Sequence, residues 1–264
     1  GSTINLTGGT ATTTGTSGYG LLSYGAAARL NANNVVVTTQ GNSAPGATAW
    51  GTATNDDVRL SLAGGSVTTQ GQSSHGLYVY NNLAQMTLDG TSVTTNGQAA
   101  FGARISNGTL NATNSNIVAN GASAFGIGIT SNPGVTATIN LTGGSVRSAQ
   151  SDAIAVNGGS ANISLNGTTV TGNPNWLRTI GATVRAADPL APPDSVTSVT
   201  YDGVADAAGA GVTITPGLQA APIAGQTSVA TVVATHATLT GSATTDADTT
   251  STVTLNQNTL WNMT

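Results

Sequence analysis

The chain has 264 residues and a net charge of −4, with 6 basic residues that are all Arg and 10 acidic residues that are all Asp. Nucleic-acid binding requires a basic stripe, so this balance excludes a nucleic-acid partner. Only 4% of the residues are aromatic and 6% are charged, which suits a slender fold built from small β-forming side chains.

One sequence unit is repeated through residues 3–173. Its clearest copy is LSLAGGSVTTQG at 60–71, with Val67 as the anchor residue. The anchors of the seven copies are spaced 24 to 30 residues apart; they are Ala11, Val37, Val67, Val93, Ile117, Val146 and Val170. Self-similarity at this period is typical of a solenoid, in which each unit stacks on the next.

Each copy contains three predicted strands. Apolar residues stand seven and five positions before the anchor, as Leu60 and Leu62 do before Val67, with a mostly polar residue between them. This alternation is typical of a strand with one buried face. A second strand runs through the anchor, and a third follows it, as in His75–Tyr80 and Phe101–Ile105. We therefore predict an all-β fold, a right-handed single-stranded parallel β-helix with three strands per rung and rungs of 24–30 residues.

The repeat pattern defines three stretches of one domain. Regular rungs are predicted over residues 3–173. Residues 174–200 contain Pro174, Pro189 and further prolines, which lack the amide donor that a ladder needs, and are predicted as a loop excursion. Strand-like alternation then returns, and residues 201–264 are predicted as C-terminal rungs.

The C-terminal segment carries a more specific pattern. ATLTG at 237–241 is followed by an acidic turn with Asp246 and Asp248, and then by a Val/Leu strand that ends at Trp261. Over residues 237–264 this pattern resembles the C-terminal passenger rungs of pertactin-like autotransporters. In that family a β-helical passenger is exported through the periplasm and across the Gram-negative outer membrane by its own C-terminal β-barrel. The resemblance implies a bacterial cell-surface or extracellular location, and a passenger truncated before its autochaperone end and barrel.

Candidate catalytic residues are few. Asp56–Asp57 with Arg59 is the only local group of acid and base, and an Asp pair in a polar loop is typical of a turn. No Gly-x-Ser-x-Gly motif positions a nucleophile. His75 shares a column with Phe101, which indicates packing, and His236 lies many rungs away. We therefore predict no catalytic residues, no metal site and no cofactor.

A hydroxyl column flanks the anchors, with Ser66 and Thr68 as its type. A flat array of this kind suits ice binding, but other residues interrupt it, including Val36 and Arg147. Because β-propensity alone produces stacked Thr residues, we interpret this column as structural.

An aromatic column lies on the outward side of the third strands. Tyr24, Trp50 and Tyr80 each follow their anchor by thirteen residues, so they are predicted to stack about 4.8 Å apart. Exposed aromatic patches with polar rims mark binding surfaces. The predicted ligand-binding stripe consists of Leu22, Tyr24, Trp50, Tyr78, Tyr80 and Arg104. The alternatives are that a loop or neighbouring chain covers the stripe, or that it stiffens the sheet.

These observations favour an adhesin that binds a host surface protein or glycan, or that associates with copies of itself. The main alternative is a structural stalk that presents another domain. A carbohydrate-active β-helix ranks third, because the fold is compatible with such enzymes while clustered carboxylates are scarce.

Overall fold

The computed structural model describes residues 1–181 and 227–263. This part of the chain contains β-strands and no helix, and forms a parallel β-solenoid of about eight turns with about 26 residues per turn. The predicted all-β parallel architecture is confirmed.

The first strands of successive rungs form one parallel sheet in chain order. They are β1 (Thr3–Thr7), β4 (Arg29–Asn33), β7 (Arg59–Ala63), β10 (Gln85–Asp89), β13 (Thr109–Thr113), β16 (Thr136–Thr142), β19 (Gly159–Asn166), β21 (Ser228–Thr235) and β23 (Thr250–Asn256). The strands pair without register shifts, so that Leu60 lies between Leu30 and Met86. The apolar columns expected from the repeat therefore run without interruption.

The second strands stack in the same way. They are β2 (Thr10–Thr13), β5 (Val36–Thr39), β8 (Ser66–Thr69), β11 (Ser92–Thr95), β14 (Asn116–Ala119), β17 (Ser145–Ser148), the first parts of β20 (Thr169–Thr179) and β22 (Thr238–Thr245), and β24 (Leu260–Asn262).

The third strands complete each rung. They are β3 (Leu21–Tyr24), β6 (Ala47–Trp50), β9 (Leu77–Tyr80), β12 (Ala103–Ser106), β15 (Ile127–Thr130), β18 (Ile154–Val156) and the second parts of β20 and β22.

The start of the predicted excursion is wrong. Leu177 pairs with Ile154 of the preceding rung, and Trp176 is fully buried in the core. The stabilisation from burying these two large apolar side chains exceeds the cost of the one ladder hydrogen bond that Pro174 cannot donate. The chain therefore continues in the rod as far as Thr179. The remainder of the predicted excursion and residues 201–226 of the predicted C-terminal rungs lie outside the described residues, while β21 to β24 form rungs over residues 228–262.

The core is a set of stacked columns. Leu62, Val67 and Leu77 all point inward and are buried, as the repeat predicts. The last Thr of the second strand also points inward, and its hydroxyl is satisfied locally: Thr69 Oγ1 donates to the Ser74 carbonyl at 2.5 Å, and Thr95 repeats this toward Ala100 at 2.5 Å. These hydrogen bonds fasten the turn into the third strand without an unsatisfied buried hydroxyl.

Candidate functional site

The side chains that point outward from the third strands form what we call the third-strand face. In β9, Leu77 and Val79 point into the core, so Tyr78 and Tyr80 point outward. In-register pairing then places Tyr80 beside Trp50 and Tyr78 beside Arg104.

The predicted aromatic stack is present. Tyr24 pairs with Trp50, and Trp50 with Tyr80. The ring centroids of Trp50 and Tyr80 are 4.9 Å apart, and Tyr78 meets Trp50 edge-on at 5.7 Å. Such ring pairs stabilise the fold by more than the burial of their apolar area alone.

The predicted exposure of this stripe is wrong at its centre. Trp50 is 1% exposed, Tyr78 5% and Arg104 4%, whereas Leu22, Tyr24 and Tyr80 remain partly exposed. Rungs about 4.8 Å apart let each ring shield the next, and Trp50 and Tyr78 make further interactions besides these ring contacts. The stripe therefore consists of a buried centre with half-exposed tyrosines above and below it.

His75 lies at the corner that precedes the third strand, and its predicted packing role is confirmed. Its ring centroid is 4.9 Å from that of Phe101, which in turn is 4.8 Å from that of Phe125. The Phe101 amide donates to His75 Nδ1 at 3.0 Å. Burial, with a smaller effect of the nearby Arg104 charge, holds the pKa of His75 well below its usual value, so the ring is neutral.

Arg104 is a buried cation on the third-strand face. Its guanidinium carbon is 5.9 Å from the Tyr78 ring centroid, and its Nε has no hydrogen-bond partner. Burial lowers the pKa of Arg104 and raises the pKa of Tyr78 to about 12. The Tyr78 hydroxyl is the polar neighbour of both Arg104 and the buried Ser106 hydroxyl, and both act to lower the pKa of Tyr78 against the larger effect of burial.

A second arginine occupies the same column. Arg178 pairs with Ala155 as Arg104 pairs with Tyr78, but Arg178 has two carboxylates around it. Its Nη2 is 3.1 Å from Asp246 Oδ2 and its Nη1 is 3.9 Å from Asp152 Oδ2. Burial raises the pKa of Asp152, while Asn175 and Arg178 act in the opposite direction. The repeat pattern does not reveal this group, because it places Arg178 in the predicted excursion and not in the third-strand column.

The Asp56–Asp57 loop is held by its own contacts. Asp56 Oδ2 accepts hydrogen bonds from the Thr52 hydroxyl and amide, each at 2.7 Å, and these bonds lower its pKa. Asp57 binds Arg59 at 3.0 Å and Arg29 at 2.6 Å, and its pKa is lowered chiefly by the Arg59 hydrogen bond. Both carboxylates are therefore engaged in shaping the loop, and Arg29 is a partner that the sequence did not reveal.

The hydroxyl column lies on the outward side of the second strands in the expected register. Ser66, Thr68 and their counterparts pair rung to rung, and Arg147 interrupts the column beside Val118. A related ladder follows the second strands, where Asn120 donates to Asn96 at 2.9 Å.

Within residues 1–181 and 227–263, no group of three or more His, Cys, Asp or Glu side chains is arranged to hold a metal ion. The same residues include no helix of the length and apolarity that a transmembrane segment needs.

Searches with protein-family models, among curated proteins and among solved structures find no match to this chain.

Proposed function

We propose that this chain is part of a secreted or surface-displayed bacterial adhesin of the pertactin-like passenger type, which binds a host protein or glycan or associates with copies of itself. The parallel β-solenoid fits such a passenger. The observation that carries adhesion is the composition of the third-strand face, where Tyr24, Trp50 and Tyr80 follow one another on consecutive rungs of a chain that is only 4% aromatic.

The half-exposed members of this face supply the contact in this proposal. Tyr24 and Tyr80 are partly accessible, and the buried Trp50 between them fixes the position of the Tyr80 ring at 4.9 Å. Tyrosine held in this way offers a large contact area with little conformational entropy to lose on binding. A rigid rod that repeats one face along its length suits this task.

Tyr80→Ser tests this assignment. The purified protein is coated on a surface, and adhesion of host cells and of beads that carry the same protein is measured. We expect Tyr80→Ser to weaken at least one of the two interactions by about tenfold, as befits an aromatic contact residue, with a nearly unchanged melting temperature.

Val36→Ser is the matched control, because Val36 is an exposed apolar residue on a second strand. If Tyr80→Ser adheres as well as Val36→Ser does, the contact surface does not lie on the third-strand face.

The stalk is the second candidate, and burial of Trp50 at 1% exposure favours it. In that case the aromatic rings only stiffen the rod. A wild-type protein that binds neither host cells nor itself, yet extends an attached domain from a surface, would support the stalk and contradict adhesion.

A further inference from the structure

Arg104 differs from the other buried or half-buried arginines in the part of the chain that the structure describes. Arg29 pairs with Asp57, and Arg178 pairs with Asp246. Arg104, at 4% exposure, forms no ion pair within residues 1–181 and 227–263. A buried charge is strongly unfavourable unless an opposite charge or hydrogen bonds compensate it. The neutral Tyr78 supplies a hydrogen-bonding hydroxyl and a ring face to Arg104, but Nε has no partner and the described residues give it no carboxylate, so the Arg104 position favours an anion.

Comparison of Arg104 with Arg178, in the same column of the third-strand face, shows which carboxylates Arg104 lacks. Asp152 lies three residues before Ala155, which pairs with Arg178. Tyr78 pairs with Arg104 in the same way, and the residue three positions before Tyr78 is His75. Asp246 lies two residues after Thr244, which pairs with Arg178 on its other side. Gly128 is the corresponding neighbour of Arg104, and the residue two positions after Gly128 is Thr130. Both carboxylate positions around Arg178 are therefore filled by uncharged residues around Arg104.

His75 does not add a competing cation. Its Nδ1 accepts the Phe101 amide, and burial keeps the ring neutral. Ser106 lies two residues along β12 from Arg104, and its buried hydroxyl, which neighbours Tyr78, can rotate to donate to a carboxylate beside Arg104. A guanidinium fork and one hydroxyl form a donor set that matches the two oxygens of a carboxylate.

We propose that Arg104 and Ser106 form a binding site for the carboxylate of an acidic saccharide, a sugar of the uronic-acid class. The sugar ring is assigned from Tyr80, which pairs with Ser106 across the rung and is half-exposed. Tyr80 and Arg104 are diagonal neighbours on paired strands, and such residues are roughly 7–8 Å apart, within reach of long side chains. A sugar ring stacked on the Tyr80 phenol would extend its carboxylate toward the Arg104 guanidinium. This inference rests on the proposed adhesin function, for which it names the ligand class.

The test uses galacturonate and a short oligogalacturonide, titrated into the full chain and followed by calorimetry. Wild-type protein is expected to bind the oligomer, with an affinity that falls as salt is added, and not to bind galactose, which lacks the carboxylate. Arg104→Gln should weaken binding at least tenfold. Arg147→Gln is the matched control, because it removes the same charge from an exposed site on a second strand and should leave binding unchanged.

Ser106→Ala provides a second variant that keeps the cation and should weaken binding severalfold even if Arg104→Gln disturbs folding. The proposal is overturned if wild-type protein binds no uronate, if Arg147→Gln weakens binding as much as Arg104→Gln does, or if acetate binds as tightly as the sugar acid. Binding of a poly-aspartate peptide in preference to the uronate would assign the site to a protein ligand and also overturn it.

The adhesion assay separates this inference from the function on which it rests. If Arg104→Gln adheres as well as the wild type does, and the wild type binds no uronate, the saccharide site is refuted and the adhesin proposal is retained. Uronate binding by a wild-type protein that adheres to nothing refutes the adhesin instead.

Discussion

A Cβ placed on Gly97 would stand 1.8 Å from the carbonyl oxygen of Gly71, one rung below. The same approach recurs between Gly71 and Gly41, at 2.0 Å. The corner after the second strand therefore has no room for a side chain, because the backbones of adjacent rungs meet there directly. Gly97→Ala forces the backbone to move, and we expect it to lower the free energy of unfolding by about 1–3 kcal/mol.

Gly15 supplies the control for this substitution. It heads the same column, and a Cβ there would meet nothing within 4 Å. Chemical denaturation should show Gly15→Ala to be nearly neutral, and equal effects of the two substitutions would contradict the close-approach explanation.

Trp50 is expected to be a stability residue. Its 1% exposure means that Trp50→Ala leaves a cavity in packed surroundings, and such truncations cost about 3–5 kcal/mol. Thermal melting measures the loss, with Tyr80→Ala as the comparison because Tyr80 is half-exposed. If both variants melt alike, Trp50 is not packed as the structure has it.

Arg178 and Arg104 should respond in opposite ways to removal of their charge. Arg178→Met leaves Asp152 and Asp246 in a largely buried position without their cation, which typically costs about 3 kcal/mol or more. Arg104→Met instead removes a buried cation that has no carboxylate within the described residues. We expect this second variant to change the free energy of unfolding by less than about 1 kcal/mol, or to raise it.

Both changes are read from urea denaturation at neutral pH. If Arg104→Met lowers the free energy of unfolding as much as Arg178→Met does, Arg104 is already compensated within the fold. That result would also argue against the carboxylate site.

His75 should make the fold sensitive to mild acid. Its pKa is depressed in the folded chain, where burial favours the neutral ring, and is near 6.5 when unfolded. Its stabilising contribution is therefore complete above pH 6.5 and is lost as the pH falls from 6.5 toward the lower folded pKa. The slope attributable to one proton is at most about 1.4 kcal/mol per pH unit.

Melting temperatures of the wild type and His75→Phe between pH 5 and 8 isolate this effect, since a phenyl ring continues the Phe101 and Phe125 stack. The difference between the two proteins should shift in favour of the variant as the pH falls. A constant difference across this range would show that His75 does not titrate as a buried neutral ring.

The sequence predicts the rung because the rung is a local repeat. Alternating residues such as Leu60 and Leu62 report a strand face directly, and the fixed period predicts the pairing of Leu60 with Leu30 and Met86. The same pattern gives the wrong result at Pro174, because one absent ladder donor matters less there than burial of the apolar pair Trp176 and Leu177 that follows it.

Exposure on the third-strand face could not be predicted in this way. Strand alternation tells which side of a sheet Trp50 lies on, but the burial of that side depends on residues distant in sequence. The charged group shows the same limit: Arg178 and Asp246 are 68 residues apart and meet only because β20 and β22 pair.

The uniform cross-section of the rungs has a consequence for how this rod can vary. Rungs of about 26 residues contact mainly the rungs above and below them, so duplication or loss of one repeat in the gene preserves every type of contact that remains. Each such event would change the reach of the molecule by one strand spacing, about 4.8 Å, while the existing faces stay in register.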